Sequence, residues 1–252
     1  MQEFEGRVAL VTGGTKGIGH ACVRGLAEAG CAVVVTFRKD RAAALEVLRA
    51  LRSLGATAEA VRLDVSKPKS AAAAVAFVQE RFGRLDILVN SAGIWNENHC
   101  PLTAESEASI REMLDVNLWG AIHVARAAIP VMGMNRFGRV ILIGSTAGVR
   151  GEAGHSIYAA SKGALLAFAR SLVPEVSKEG ITVNVVAPGW IYTDMTKNAL
   201  KGDALTVIES QIPTGRITRA EEVAHAVSFL ASERAAQITG VRLDVNGGAV
   251  FG

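Results

Sequence analysis

A chain of 252 residues, half of them hydrophobic, can bury a large core, yet none of its apolar runs reaches the ~18 residues needed to cross a bilayer. Its formal net charge of +3 comes without a dense Lys/Arg block, which argues against a nucleic-acid-binding surface and leaves room for an anionic ligand. Cys22, Cys31 and Cys100 have neither metal-ligand nor disulfide spacing, and the first residues carry two acids instead of a basic-then-apolar leader, so the expectation is a cytoplasmic protein with reduced thiols, no metal and no membrane anchor.

Apolar, β-branched runs alternate along the chain with Ala-rich helical stretches. Strands are expected at 7–12, 32–36, 57–63, 86–89, 139–143, 181–186 and 242–245. Each is near-continuously apolar, as in strands covered on both faces of a parallel sheet. Helices are expected at 17–29, 41–54, 69–82, 107–134, 156–177 and 220–231. This alternation predicts βαβ units with right-handed crossovers, and hence an α/β fold with a doubly wound, mainly seven-stranded parallel sheet and helices on both faces. No linker or repeat interrupts it, so residues 1–252 read as a single domain. Two stretches break the rhythm: 94–103, and a Pro-, Gly- and Thr-rich segment over 188–217, whose length fits a substrate lid around 189–217 better than a plain connection.

The first strand runs into Thr12-Gly13-Gly14-Thr15-Lys16-Gly17-Ile18-Gly19, and a helix follows. Glycines let the backbone turn tightly and approach a pyrophosphate, and the helix N-terminus offers free N–H groups, so the unit is Rossmann-like although its spacing is G-x-x-x-G-x-G. At the second strand's tip, where a carboxylate would read the ribose diol of NAD(H), stand Phe37, Arg38 and Lys39. Arg38 and Lys39, joined by Lys16, suit the 2′-phosphate of NADP(H), though two such cations also fit a solvated surface pair. Asp64, followed by Val65, ends the third strand where a carboxylate can accept from an adenine amino group, and Asn90-Ser91-Ala92-Gly93 ends the fourth with small residues against which a nucleotide can lie. Turn residues at strand ends are common in their own right.

Tyr158 and Lys162 lie four residues apart on one helix face. A nearby ammonium favours the phenolate, so Tyr158 could serve as acid and base on a carbonyl/alcohol pair; the spacing also fits a packed Tyr beside a surface Lys. Ser145 follows the fifth strand, where a hydroxyl can meet a substrate oxygen, and Asn117 lies within an apolar helical run, where a buried amide needs partners.

Together these residues resemble the short-chain dehydrogenase/reductase family over nearly the whole chain. The family's glycine turn looks like residues 12–19, and its Asn-Asn-Ala-Gly element looks like residues 90–93 with Ser91 in place of the second Asn. Its catalytic tetrad looks like Asn117, Ser145, Tyr158 and Lys162, and its Pro-Gly element and following Thr look like Pro188, Gly189 and Thr193. The resemblance implies Tyr158 as acid/base, Ser145 positioning the substrate oxygen, Lys162 on the nicotinamide ribose and lowering the Tyr158 pKa, and Asn117 anchoring a water. Ile191 and Thr193 would lie near the nicotinamide carboxamide. Within the family the C-terminal half looks most like 3-oxoacyl-(acyl-carrier-protein) reductases, which use NADPH, act on acyl thioesters and are commonly homotetramers. Arg136 matches one position at which those enzymes dock their acidic carrier protein; a second basic position is Glu179 here, beside Lys178, and the loop 94–103 with Trp95, His99 and Pro101 departs from the family's pattern. Another secondary alcohol or ketone, such as a sugar, polyol, steroid or small carbonyl, is the alternative substrate, and a non-catalytic nucleotide-binding protein the alternative class. His155, three residues before Tyr158, reads as a half-exposed residue at the helix start.

Overall fold

A computed structural model describes residues 3–251. Seven strands, β1 (Val8–Thr12), β2 (Ala32–Phe37), β3 (Ala58–Arg62), β4 (Ile87–Asn90), β5 (Gly138–Ile143), β6 (Ile181–Pro188) and β7 (Arg242–Val245), form one sheet in the order β3-β2-β1-β4-β5-β6-β7. Every pairing is parallel. The helices are α1 (Gly17–Glu28), α2 (Arg41–Ser53), α3 (Pro68–Phe82), α4 (Glu107–Leu114), α5 (Gly120–Met134), α6 (Ala147–Arg150), α7 (Ser156–Val176), α8 (Asp203–Ser210) and α9 (Ala220–Ala231).

The alternation of side chains along a strand sorts the core into two layers. From β1, Ala9 and Val11 face a cluster with Cys22, Val23 and Leu26 of α1 and Val223, Val227 and Leu230 of α9. Val8 and Leu10 face the other side, with Ala74 and Val78 of α3, Val124 and Ala128 of α5 and Leu165 and Ala169 of α7. Each fully buried Leu or Val stabilises the fold by roughly 1.5–3 kcal/mol, so both faces need helical cover. The central strands are buried throughout, while β3 and β7 at the edges are only partly covered, unlike the uniform burial expected from their composition.

The stretch 107–134, expected as one helix, is divided. Between α4 and α5 the chain inserts a π-helical turn, Asp115–Trp119, which carries Asn117 and turns it inward. Such insertions cost helix regularity and recur at functional sites. The segment 188–217 contains α8, and Leu200 and Ile212 anchor it in the interior. No helix among the described residues is long and apolar enough to cross a membrane. Cys22 and Cys31 are buried free thiols, and burial pushes both up, Cys22 to about 12.

The chain winds outward from β1 through β2 to β3, then crosses back and winds the other way from β4. Between the carboxyl ends of β1 and β4 the loops must diverge, which opens a crevice there.

Candidate active site

That crevice is a cleft of about 400 Å³. Its floor is the glycine turn. Gly13 takes φ +65, where glycine is unstrained, and a Cβ on it would stand 3.1 Å from Ala92 Cα; Gly17 takes φ +55 against Thr193. A Cβ on Gly19 would collide with the Gly13 carbonyl, so Gly19 serves the turn's own packing and does not line the cleft. Hydroxyls hold the rest: Gly13 N donates to Thr36 Oγ1 (3.2 Å), Thr12 Oγ1 to Asn90 Oδ1 (2.8 Å), and Ala92 N to Thr12 Oγ1 (2.9 Å). Among the described residues the buried Nδ2 of Asn90 has no hydrogen-bond partner, an orphaned donor at the strand end beside the cleft.

One end of the cleft is cationic. Lys16, Arg38 and Lys39 line it, all exposed, and none forms an ion pair among the described residues. Asp40 accepts from Ala43 N (2.9 Å) as the N-cap of α2, so its carboxylate is committed to the helix. Asp64 also lines the cleft. Burial pushes its carboxyl up, but hydrogen bonds from the Ser66 hydroxyl (2.7 Å) and amide (3.1 Å), with Arg38 and Lys67 nearby, hold it below the usual range. Both Ser66 bonds fall on one oxygen.

At the other end Gly93 joins the cleft to the side chains expected to do chemistry. A Cβ on Gly93 would stand 3.2 Å from Asn117 Oδ1 and 3.3 Å from Lys162 Nζ. Asn117 is buried and grips the Ile94 backbone at both ends, donating to its carbonyl (2.9 Å) and accepting from its amide (2.8 Å); it also donates to Ser161 Oγ (3.2 Å). Ser161 donates to the Tyr158 carbonyl (2.7 Å). Lys162 Nζ donates to the Ile143 carbonyl (2.8 Å) and lies 6.0 Å from the Tyr158 ring centre. Tyr158 and Ser145 share a smaller pocket of about 60 Å³ with Trp95, Trp190 and Gly189, and Met195 lines both spaces. Burial raises the Tyr158 phenol to about 12; a hydrogen bond with Ser145 pulls it down and the Glu152 charge pushes it up. The phenol's own burial thus outweighs the lowering expected from Lys162, and burial drives that ammonium down as well, to about 8.

Comparison with known proteins fits this geometry. Residues 13–250 match the short-chain dehydrogenase profile described as enoyl-(acyl carrier protein) reductase. The 3-oxoacyl-(acyl-carrier-protein) reductase FabG of Escherichia coli K12 is 42% identical over 97% of this chain and 98% of its own length. The chain belongs to the short-chain dehydrogenase/reductase family. As a member it is an oxidoreductase with the family's Rossmann-like fold. The enzyme of the same name from Pseudomonas aeruginosa is 39% identical over 97% of this chain and 98% of its own length. Among solved structures, gox2181 superposes with a TM-score of 0.94 at 34% identity, covering 98% of this chain and 97% of that one. A gluconate 5-dehydrogenase from Burkholderia cenocepacia, in complex with NADP and tartrate, superposes with a TM-score of 0.93 at 33% identity, covering 98% and 96%.

Of the residues expected to hold a nucleotide, Gly13, Thr15, Lys16, Gly17, Ile18, Arg38, Asp64, Val65, Ala92, Gly93 and Thr193 all line the large cleft. Pro188 and Gly189 close β6, with Gly189 in the small pocket, while Ile191 is buried in the core beneath. His155 stays outside the small pocket and packs its ring on Trp95. Sequence reasoning missed Thr12 and Thr36, which hold the turn, and Ser161, which joins Asn117 to the Tyr158 helix. Ser161 was within reach, since it stands one turn beyond Tyr158 on the same face. Trp190, Arg150 and Glu152 carried no local signal, because only the fold brings them to the pocket.

Proposed function

We propose that this enzyme uses NADPH to reduce the 3-oxo group of an acyl thioester to a secondary alcohol, with Tyr158 as the proton donor. The observation that carries this reading is an adjacency: three cations without ion pairs among the described residues line one end of a cleft of about 400 Å³, Gly93 at its other end stands against Asn117 and Lys162, and the smaller pocket of Ser145 and Tyr158 shares Met195 with that cleft. The Gly13 turn, the orphaned Asn90 amide and the free Arg38 fork fit an NADP(H) molecule, with Arg38, Lys39 and Lys16 holding the 2′-phosphate and Asp64 the adenine. Bound there, the nicotinamide supplies the hydride that goes to the carbonyl carbon. Ser145 Oγ holds the carbonyl oxygen, and Tyr158 Oη gives it the proton; burial keeps the phenol protonated across the neutral range, the form that reduction needs. Lys162 holds the ribose beside Gly93, and Asn117 fixes the Ile94 backbone that walls the site. The segment 189–217 acts as a lid on this single domain, since Thr193 and Met195 reach over the cleft.

The thioester is favoured over a sugar acid by the extent and degree of likeness to the 3-oxoacyl reductases. The gluconate 5-dehydrogenase likeness, together with Arg150 and Glu152 in the small pocket, supports a small polar carbonyl compound as the second reading. An acyl carrier protein would dock at exposed Arg136, whose guanidinium already donates to the Lys178 carbonyl (3.1 Å). A homotetramer, as in the resembling reductases, would bury Trp119, Met134 and Phe251; a monomeric mass in sedimentation would sink that assembly.

Initial rates of NADPH and NADH oxidation with acetoacetyl-CoA test the reading. Turnover that prefers NADPH and falls ~100-fold or more in Tyr158→Phe is expected. Turnover unaffected by that substitution sinks the Tyr158 assignment, and no turnover by protein that binds NADPH favours the small polar carbonyl. Arg136→Glu should slow reduction of the carrier-bound substrate and spare acetoacetyl-CoA; an equal loss on both would argue against docking there.

A further inference from the structure

The small pocket is bounded by an aromatic wall that the assigned chemistry does not use. The Trp95 ring lies 5.1 Å from that of His155, tilted by 38°, and meets Trp190 edge-on at 6.0 Å. Both indoles line the pocket that holds Ser145 and Tyr158. Trp95 is thus held by two ring partners on separate segments of the chain.

The loop that bears Trp95 is also tied down further along. Cys100 N donates to the Gly154 carbonyl (3.0 Å), and the His99 ring occupies the place where a Cβ on Gly154 would stand. Gly154 takes φ +76, which glycine alone adopts without strain. His99 then meets His155 edge-on at 6.3 Å. His155 directly precedes α7 and stands three residues before Tyr158, so the wall is built onto the same helix start that positions the proton donor. Beyond the indoles, Arg150 and Glu152 give the pocket a charged rim instead of an apolar groove.

We propose that Trp95, backed by His155 and Trp190, limits the length of the group beyond the carbonyl, so that short 3-oxoacyl chains are reduced and long ones are excluded. This rests on the thioester reading above. The indole is one wall of a pocket of only about 60 Å³, so an extended alkyl chain in that pocket would press on it, and moving it aside breaks both ring contacts together. Among the described residues Trp95 makes no hydrogen bond or ring contact with Ser145, Tyr158 or Lys162, so its truncation removes none of the bonds that those groups make.

The test compares kcat/KM for acetoacetyl-CoA and 3-oxodecanoyl-CoA in the wild type, Trp95→Ala and Trp95→Phe, with the methyl esters of the same 3-oxo acids in parallel. The wild type is expected to favour the short thioester by about tenfold or more, Trp95→Ala to remove most of that preference by gaining on the long substrate, and Trp95→Phe to keep part of it. Equal kcat/KM for both lengths in the wild type overturns the length limit, as does a preference that Trp95→Ala leaves unmoved. Short-ester preference without any thioester turnover overturns the thioester reading and leaves the length limit standing; no turnover of either series overturns both.

Discussion

Tyr158 and Lys162 are one helical turn apart, and burial drives both toward their uncharged forms, the phenol up to about 12 and the ammonium down to about 8. The fold therefore works against the charge that the chemistry assigns to Lys162, a common trade between stability and function. An unfolded lysine titrates near 10.4. Between pH 8 and that value the unfolded chain binds more protons at this site than the folded one, so stability from this group rises with pH across the window; the cost of burying the ammonium is fully present below pH 8. Urea denaturation of the wild type and Lys162→Met should thus show a stability difference that shifts in favour of the wild type as pH climbs from 8 toward 10, while the variant loses reduction activity throughout. A difference that stays constant over that range would mean Lys162 is not held near 8.

The π-helical turn Asp115–Trp119 is the element that brings Asn117 to the site. Without the inserted residue a continuous helix would rotate position 117 away from Ile94. The gain is two backbone bonds to Ile94 and one to Ser161, which tie the end of β4 to α7 across the cleft wall. Asn117→Ala would leave the part-buried Ile94 amide and carbonyl without these partners, and the expected loss is about 1 kcal/mol of unfolding free energy, with activity falling as well. Unchanged stability in urea would show that the Ile94 contacts carry no weight. Apolar periodicity marked the strands and most helices because the central strands are sandwiched between helices, and the glycine turn was legible because its backbone angles admit little else. The π turn was not, since Asp115, Val116, Asn117 and Leu118 fit a regular helix equally well and tertiary contacts to Ile94 and Ser161 decide the matter. The aromatic wall was hidden for the same reason: Trp95, His155 and Trp190 are far apart in the chain and meet only when the 94–103 loop docks on the start of α7.

Across the whole molecule, the cofactor-cleft and catalytic candidates gather at the carboxyl ends of the strands, and the segment that follows β6 reaches back over them. Its two ends are fixed. Ile191 pairs with Thr218 in a parallel bridge, and Arg216 forms a two-pronged ion pair with Glu222 at the start of α9, the hydrogen bonds from Arg216 pulling that carboxyl down to about 2. Between these ends the chain is held by Leu200, Ile212 and a Thr196 hydroxyl that donates to the Ile191 carbonyl, while much of the surface of α8 is exposed. A segment clamped at its base and lightly packed along its length can open locally without unfolding the sheet. Thr193 rests against Gly17 in the glycine turn, and Met195 faces both the cleft and the small pocket, so a nucleotide in the cleft would gain contacts with the segment's first turn only when it is closed. Binding to the closed form alone shifts the opening equilibrium by the ligand's differential affinity. Hydrogen exchange with and without NADPH should therefore show slower exchange over residues 193–211 on binding, read at labelling times too short for the buried strands β5 and β6 to exchange in either state. Protection confined to the glycine turn, with none over 193–211, would mean that the segment is a fixed wall and not a lid.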